Sequence, residues 1–330
     1  MPSRRHLLAA TATTVCCAAI GAVARAHAQV VAKPSRIIVG FPPGGAPDVV
    51  ARLTADALRG PYAPTVIVEN KPGAGGRIAV EAVKAGEADG SAMLVTPNPI
   101  ITIYPHVYRK LSYDPLHDLT PVTSLCSYPL VLSAGPGLPA SVKSLADLVG
   151  WCKAHPASAS FGTPAAGSTL HFIGVVFASA AGVELQHVPY RGGPEVVSDL
   201  VGGRIPLAIT PPAPVVPHIR AGRLRALATT SAERSSVLPD VPTFKEAGYP
   251  QLAIKDWIGL FVPAKTPSDK VELLNGLARA ALKSREVTDA YTTLMMEPSS
   301  ESPRESALMV EAEYEMWRPI VKASGFTVAD

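Results

Sequence analysis

The sequence predicts an α/β protein of two domains, built on mostly parallel sheets flanked by helices. Three observations carry that reading. Short apolar runs of strand length alternate with helically spaced apolar residues along most of the chain. Turns rich in glycine and proline stand between strand and helix, where parallel crossovers need them. The chain has 330 residues, enough for two domains of ordinary size.

The elements follow in order. Residues 36–40 read as a strand, and Val49, Val50, Leu53 and Leu58 mark a helix over 47–58. Strands are predicted at 65–69 and 92–96, with a helix over 78–85 between them. Residues 121–133 read as extended and are long enough to pass from one domain to the other. Ser144 is placed to cap a helix over 144–154. A strand at 159–162 leads into a helix over 168–181 that Gly182 ends. Strands at 185–188, 205–209 and 224–229 alternate with helical segments at 194–201 and 215–221. Pro194 stands at the favoured first helical position. A short helix is expected before Gly248, then a strand over 257–263. Helices over 268–282, 285–295 and 302–321 close the chain.

The first 28 residues read as an export signal: Arg4 and Arg5, an alanine-rich apolar run, then Ala26-His27-Ala28 as a small-x-small cleavage site. The run is too short and too alanine-rich for a membrane span, which needs about 20 strongly apolar residues. The leader carries three arginines and no acid, so the +3 charge of the whole chain belongs to it. The exported part is neutral, which argues against a nucleic-acid or membrane-surface partner. Of four cysteines, Cys126 and Cys152 remain after cleavage. They either pair in an oxidising compartment or sit as two buried thiols.

The turn Phe41-Pro42-Pro43-Gly44-Gly45-Ala46-Pro47-Asp48 joins an apolar strand to a helix. Such a turn aims unpaired N–H groups above the helix start, where the dipole favours an anion. A second turn, Thr163-Pro164-Ala165-Ala166-Gly167-Ser168-Thr169-Leu170-His171, repeats the device. Each feature also has a purely structural reading. Gly44 and Gly45 serve a tight turn or a close ligand approach. Asp48 complements the helix dipole or accepts a bond from a ligand or water. Ser168 and Thr169 cap a helix or donate to a carboxylate. His171 packs at the helix start or donates a ring N–H. Trp257 is core or the flat wall of a ligand slot. Arg77 and Arg191 flank glycine-rich turns, as solvated surface groups or as partners for a second acid. Nucleophile-elbow, zinc-protease and phosphate-loop motifs are absent from the sequence, and its histidines lack metal-ligand spacing. No enzyme activity, cofactor or metal is expected.

Several segments together carry a resemblance. They are Val39–Asp48, Val68-Glu69-Asn70-Lys71-Pro72-Gly73-Ala74-Gly75-Gly76, His187-Val188-Pro189-Tyr190-Arg191-Gly192, Pro217–Gly222, Leu238–Thr243 and Trp257–Ala264. In this order and spacing, the chain resembles the Bug-type extracytoplasmic solute receptors, the binding components of tripartite tricarboxylate transporters. The resemblance implies a type II-like two-domain periplasmic binding fold that closes on a small organic carboxylate in the cleft between domains. It implies domains at 29–130 with 254–330 and at 131–253. Membrane permease subunits are the implied partners of a monomeric periplasmic protein. The implied contacts are Phe41, Gly44, Gly45, Ala46, Asp48, Gly76, Arg77, Thr96, Thr163, Ala165, Gly167, Ser168, Thr169, His171, Arg191, Thr210 and Trp257. A sensor that reports to a signalling receptor would use the same fold, and a secreted hydrolase using Ser168 is a third expectation. Pro47 stands where the family usually has Thr or Ser. Ala165 and Ala166 replace Gly and a polar residue, and Thr210 replaces a frequent Asp. These departures predict a ligand without an ammonium group.

Overall fold

A computed structural model describes residues 31–190, 192–235 and 237–328. The predicted leader and Arg191 lie outside the described residues. Two sheets organise the chain. The first contains β1 (Ser35–Val39), β2 (Val66–Asn70), β3 (Ala92–Pro97) and β4 (Leu119–Pro129). The second contains β5 (Val131–Ala134), β6 (Ser160–Thr163), β7 (Gln186–Pro189), β8 (Leu207–Thr210) and β9 (Arg225–Thr229). The chain then returns to the first sheet through β10 (Lys255–Pro263) and β11 (Glu297–Pro298). Strand orders are β11-β4-β10-β3-β1-β2 and β7-β6-β8-β5-β9.

The helices are α1 (Ala46–Leu58), α2 (Arg77–Lys84) and three short ones in the 99–118 connection: α3 (Pro99–Thr102), α4 (Tyr104–Val107) and α5 (Pro115–Asp118). The second sheet carries α6 (Leu145–Ala154), α7 (Thr169–Ala181), α8 (Gly193–Val201) and α9 (Val216–Arg220). The chain closes with α10 (Ser268–Ala281), α11 (Arg285–Thr293) and α12 (Pro303–Ser324). Local chemistry sets their ends. Ser144 with Asp147 and Ser302 with Glu305 form capping boxes, each satisfying two orphan N–H groups. Gly182 ends α7 at φ 61°, a conformation that costs other residues more. The segment before Gly248, expected to be helical, forms a series of turns instead.

Strand direction refines the expectation of mostly parallel sheets. β1, β2 and β3 are parallel, as are β6, β7 and β8. β10 runs against β3 and β4, and β5 runs against β8 and β9. The physical reason is topological. A strand that arrives from the other sheet enters at the edge where its neighbours end, so it must run backwards. β5 and β10 are those arriving strands. All other strands except the two-residue β11 end at the edge facing the opposite sheet.

Both faces of each sheet are covered. Along β1, Ile37 and Val39 join one apolar cluster with Val50, Ala51 and Leu58 of α1. Ile38 points the other way, to Ala79, Val80 and Val83 of α2. In the second sheet Val131 and Ala208 face Val196 and Leu200 of α8. Leu132, Leu207 and Ile209 face the opposite side with Ile173 and Phe177 of α7. Only Leu130 separates β4 from β5. Its N–H donates to Thr230 Oγ1 at 2.9 Å, and its carbonyl accepts from Thr230 N–H at 3.0 Å. Cys126 and Cys152 are free and buried.

Candidate functional site

The turn after β1 is braced from within. Gly44 has φ 83°, which favours glycine, and an added Cβ would meet nothing within 4 Å. Gly45 has φ −74° and ordinary spacing around an added Cβ, so the fold itself does not require glycine there. That separates the two glycines the sequence treats alike. Gly45 is the N-cap residue of α1, and no side chain caps it. The N–H groups of Gly45 and Ala46 have no hydrogen-bond partner among the described residues. Pro47 brings no N–H to the same turn.

Asp48 holds this turn in place. It is 2% exposed. Its Oδ2 accepts from Gly44 N–H at 2.9 Å and from Arg52 Nε at 2.9 Å. Its Oδ1 accepts from Arg52 Nη2 at 3.0 Å and from Asn70 Nδ2 at 2.8 Å. Asn70 also donates to Phe41 O at 3.0 Å. Burial pushes the Asp48 carboxyl up, but the bonds from Arg52, Gly44 and Asn70 outweigh it and hold it below the usual range. Asp48 therefore acts on the loop. Sequence reasoning assigns neither Arg52 nor Asn70, the latter part of a resemblance segment, a role in bracing this turn. The i,i+4 spacing of Asp48 and Arg52 was a readable signal, whereas the Asn70 contact bridges 22 residues.

The turn after β6 is braced differently. Ser168 Oγ donates to Ala165 O at 2.7 Å, and Gly167 N–H donates to His171 Nδ1 at 3.3 Å. The second bond makes Nδ1 the acceptor, so the neutral ring carries its proton on Nε2. Neither bond joins Ser168 to His171. Thr163 Oγ1 pairs with His187 Nε2 at 2.8 Å, and the His171 and His187 rings stack with centroids 3.9 Å apart. Burial lowers His171 to about 4. Burial and the neighbouring His171 lower His187 to about 3. Both rings are neutral at physiological pH. An added Cβ on Gly167, at φ 73°, would press on Val107 and Phe326. Thr169 is fully buried, and its hydroxyl has no partner among the described residues.

The remaining expected residues take several places. Gly76 lies under Ile100 and Phe41, with φ 97°. Arg77 donates from Nε to Ala74 O at 3.0 Å, and its guanidinium lies 4.1 Å from the Tyr108 ring centroid. Thr96 is buried near the end of β3, opposite Gly259. Thr210 is buried at the end of β8, and its hydroxyl has no partner among the described residues. Trp257 is a core residue: its ring packs near Phe261, and Nε1 donates to Glu313 Oε1 at 2.8 Å. The adjacent Asp256 is 2% exposed, and its Oδ1 has no partner among the described residues. Burial raises its carboxyl to about 6 against the smaller pull of Thr169 and Asn98.

A cavity of about 670 Å³ opens between the two sheets' loops. Gly44, Gly45 and Ala46 border it on one side, with Tyr128, Leu294 and Met296. Gly193, Pro194, Val197 and the run Pro211-Pro212-Ala213-Pro214 border it on the other. Neither Trp257 nor the Thr163–His171 turn lines it. Tyr128, Met296 and the Pro211–Pro214 wall escaped sequence reasoning, because each is made a neighbour of Gly44 only by the tertiary fold. Among the described residues no group of three or more His, Cys, Asp or Glu side chains is arranged to hold a metal.

Two α/β bodies joined by crossing strands, with a cavity walled by both, define the class of two-domain binding proteins. Residues 50–326 match the family described as "Tripartite tricarboxylate transporter family receptor", and the chain belongs to that family. Protein BugT of Bordetella pertussis is 34% identical over 295 residues, covering 89% of this chain and 90% of BugT. Among solved structures, R. palustris Rpa4515 with adipate superposes with a TM-score of 0.79 at 34% identity, covering 89% of this chain and 98% of that one. MatC from Rhodopseudomonas palustris with bound malate gives 0.75 at 29% identity, covering 87% of this chain and 99% of that one. The family is one of periplasmic solute-binding proteins.

Proposed function

We propose that this chain captures a small organic carboxylate in the periplasm by domain closure and delivers it to membrane permease subunits. One observation carries the reading. The α1 start presents two N–H groups without a partner among the described residues, Gly45 and Ala46, at the edge of a cavity walled by both sheets. The helix dipole and the free donors favour an anion there. The adipate and malate in the related structures are carboxylates. In this reading residues 29–130 with 254–330 form one body and residues 131–253 the other. They turn about Leu130 and the segment near 254. The ligand favours the closed state by touching both. The mature protein is a monomer released by cleavage near Ala28.

Calorimetric titration with carboxylic acids and their primary amides tests the reading. Acids should bind and amides should not. Gly45→Leu should abolish binding while leaving the fold, since nothing crowds that position. A ligand at 100-fold its dissociation constant should add about 2.7 kcal/mol of stability. Equal binding of acids and amides would overturn the anion site.

A further inference from the structure

The anion site occupies only one end of the cavity. The other walls are almost wholly apolar: Val197, the Pro211–Pro214 run, Leu294 and Met296. Among the described residues no charged side chain lines them. An ammonium or a second carboxylate lodged there would lose its hydration and gain no partner, which is strongly unfavourable. A hydrocarbon or aromatic body would be favoured by the same walls. The cavity is also far larger than a carboxylate group alone, at about 670 Å³.

One polar side chain breaks the apolar lining. Tyr128 borders the cavity and is 7% exposed. Its hydroxyl makes no hydrogen bond among the described residues. Burial, with Asp256 nearby, raises its pKa well above the ordinary value, so it remains an O–H donor. A ligand that seals this cavity-facing hydroxyl from water would leave it unpaired at a cost unless it supplies an acceptor. The hydroxyl points to a ligand that offers one neutral acceptor at that depth.

We infer that the ligand is a monocarboxylate with an apolar body. Its carboxylate lies on the Gly45 and Ala46 N–H groups, its body lies between the Pro211–Pro214 run and Met296, and Tyr128 reads a single neutral acceptor. The inference rests on the carboxylate reading above and narrows it.

The test is calorimetry on the chain with two probe sets: benzoate, 4-methoxybenzoate, cyclohexanecarboxylate and octanoate against adipate, malate and glutamate. The tightest monocarboxylate should bind at least tenfold more tightly than any of the second set. Tyr128→Phe should weaken 4-methoxybenzoate three- to tenfold relative to cyclohexanecarboxylate. Leu294→Lys, at a half-buried wall position, should weaken the apolar acids at least tenfold and admit adipate. Tighter binding of adipate or malate, lost in Gly45→Leu, would overturn the inference and leave the carboxylate reading standing. So would a dicarboxylate preference abolished by Arg191→Gln, a cation that precedes the wall residue Gly193 by two positions in the sequence. Unchanged apolar-acid affinity in Leu294→Lys would overturn the placement of the body. Binding of none of these acids would remove the carboxylate reading itself.

Discussion

The heads of α1 and α7 are built from the same local code, yet they differ in what they offer. Both follow a strand and a glycine turn, and both begin helices of 13 residues. The α1 head borders a cavity with two N–H groups that have no partner among the described residues. The α7 head does not line that cavity; Val107 and Phe326 pack against Gly167, and the chain's own carboxylate, Asp256, lies near Thr169. The braces differ in kind as well. Asp48 and Arg52 form a charged pair under α1, while His171 and His187 form a neutral stack beside α7. A helix start is thus only a potential anion site. What packs over it decides whether it is vacant for a ligand.

The largest effect should come from removing the charged brace. Asp48→Ala strips hydrogen bonds from Gly44, Arg52 and Asn70. Losing the hydrogen bonds of a buried carboxylate costs about 3 kcal/mol; Arg52 is left half in solvent, so no buried charge is stranded. Ligand binding should be lost along with that stability. Denaturant unfolding and calorimetry on the same variant check both. A variant that loses stability but binds normally would break the link between brace and site.

Next is Asp256, the carboxylate near the second head. Its raised pKa means the folded state holds a proton that the unfolded chain releases near 4. Its contribution to stability therefore falls as pH rises from about 4 to about 6. Asp256→Asn should remove that slope and gain about 2–3 kcal/mol at pH 8, from a shift of roughly two units at 1.36 kcal/mol each. Urea unfolding from pH 4 to 8 measures it. An unchanged slope would show that Asp256 does not carry the charge of the α7 head.

How far the sequence could foresee this contrast depends on range. Strand–turn–helix boundaries were legible because Gly, Pro and Ser write them locally: Gly182 and Ser144 stand where their backbone angles and bonds demand. The reversal of β5 and β10 was not legible, since direction follows from which sheet the chain has just left. Asp48 was noticed and assigned to ligand or dipole because Asn70 lies 22 residues away. Trp257 was open between core and ligand wall until Glu313, 56 residues on, settled its indole nitrogen. The cavity's apolar half was invisible, as Tyr128, Pro212 and Met296 share no local pattern. The expectation of a ligand without an ammonium group came from Thr210, while the support for it comes from these walls.

The neutral stack predicts an opposite pH response. Unfolded imidazoles take a proton near 6.5, whereas His171 and His187 resist until about 4 and about 3. Below pH 6.5 the unfolded state binds more protons, so stability falls as the medium is acidified toward those values. His187→Gln can keep a bond to Thr163 and cannot titrate. It should be less sensitive to acid, gaining about 2 kcal/mol at pH 5 relative to the parent. Imidazole proton shifts followed by NMR give the pKa values directly, and a His187 that titrates near 6.5 would remove the neutral stack from the comparison.

The smallest expected effect separates binding from catalysis at the α7 head. Ser168 is 4% exposed, and its hydroxyl is committed to Ala165 O. Ser168→Ala deletes one neutral hydrogen bond and leaves the Ala165 carbonyl in a half-buried turn, at a cost of about 1 kcal/mol. Carboxylate affinity should change less than threefold, since the donors assigned to the ligand lie on α1. The hydrolase expectation makes the opposite demand: ester turnover that disappears in this variant. It needs His171 to accept a proton from Ser168, but Nδ1 already accepts from Gly167 and the ring's other nitrogen holds the proton. Ester turnover by the parent chain that Ser168→Ala abolishes would overturn the assignment of this head as a structural element.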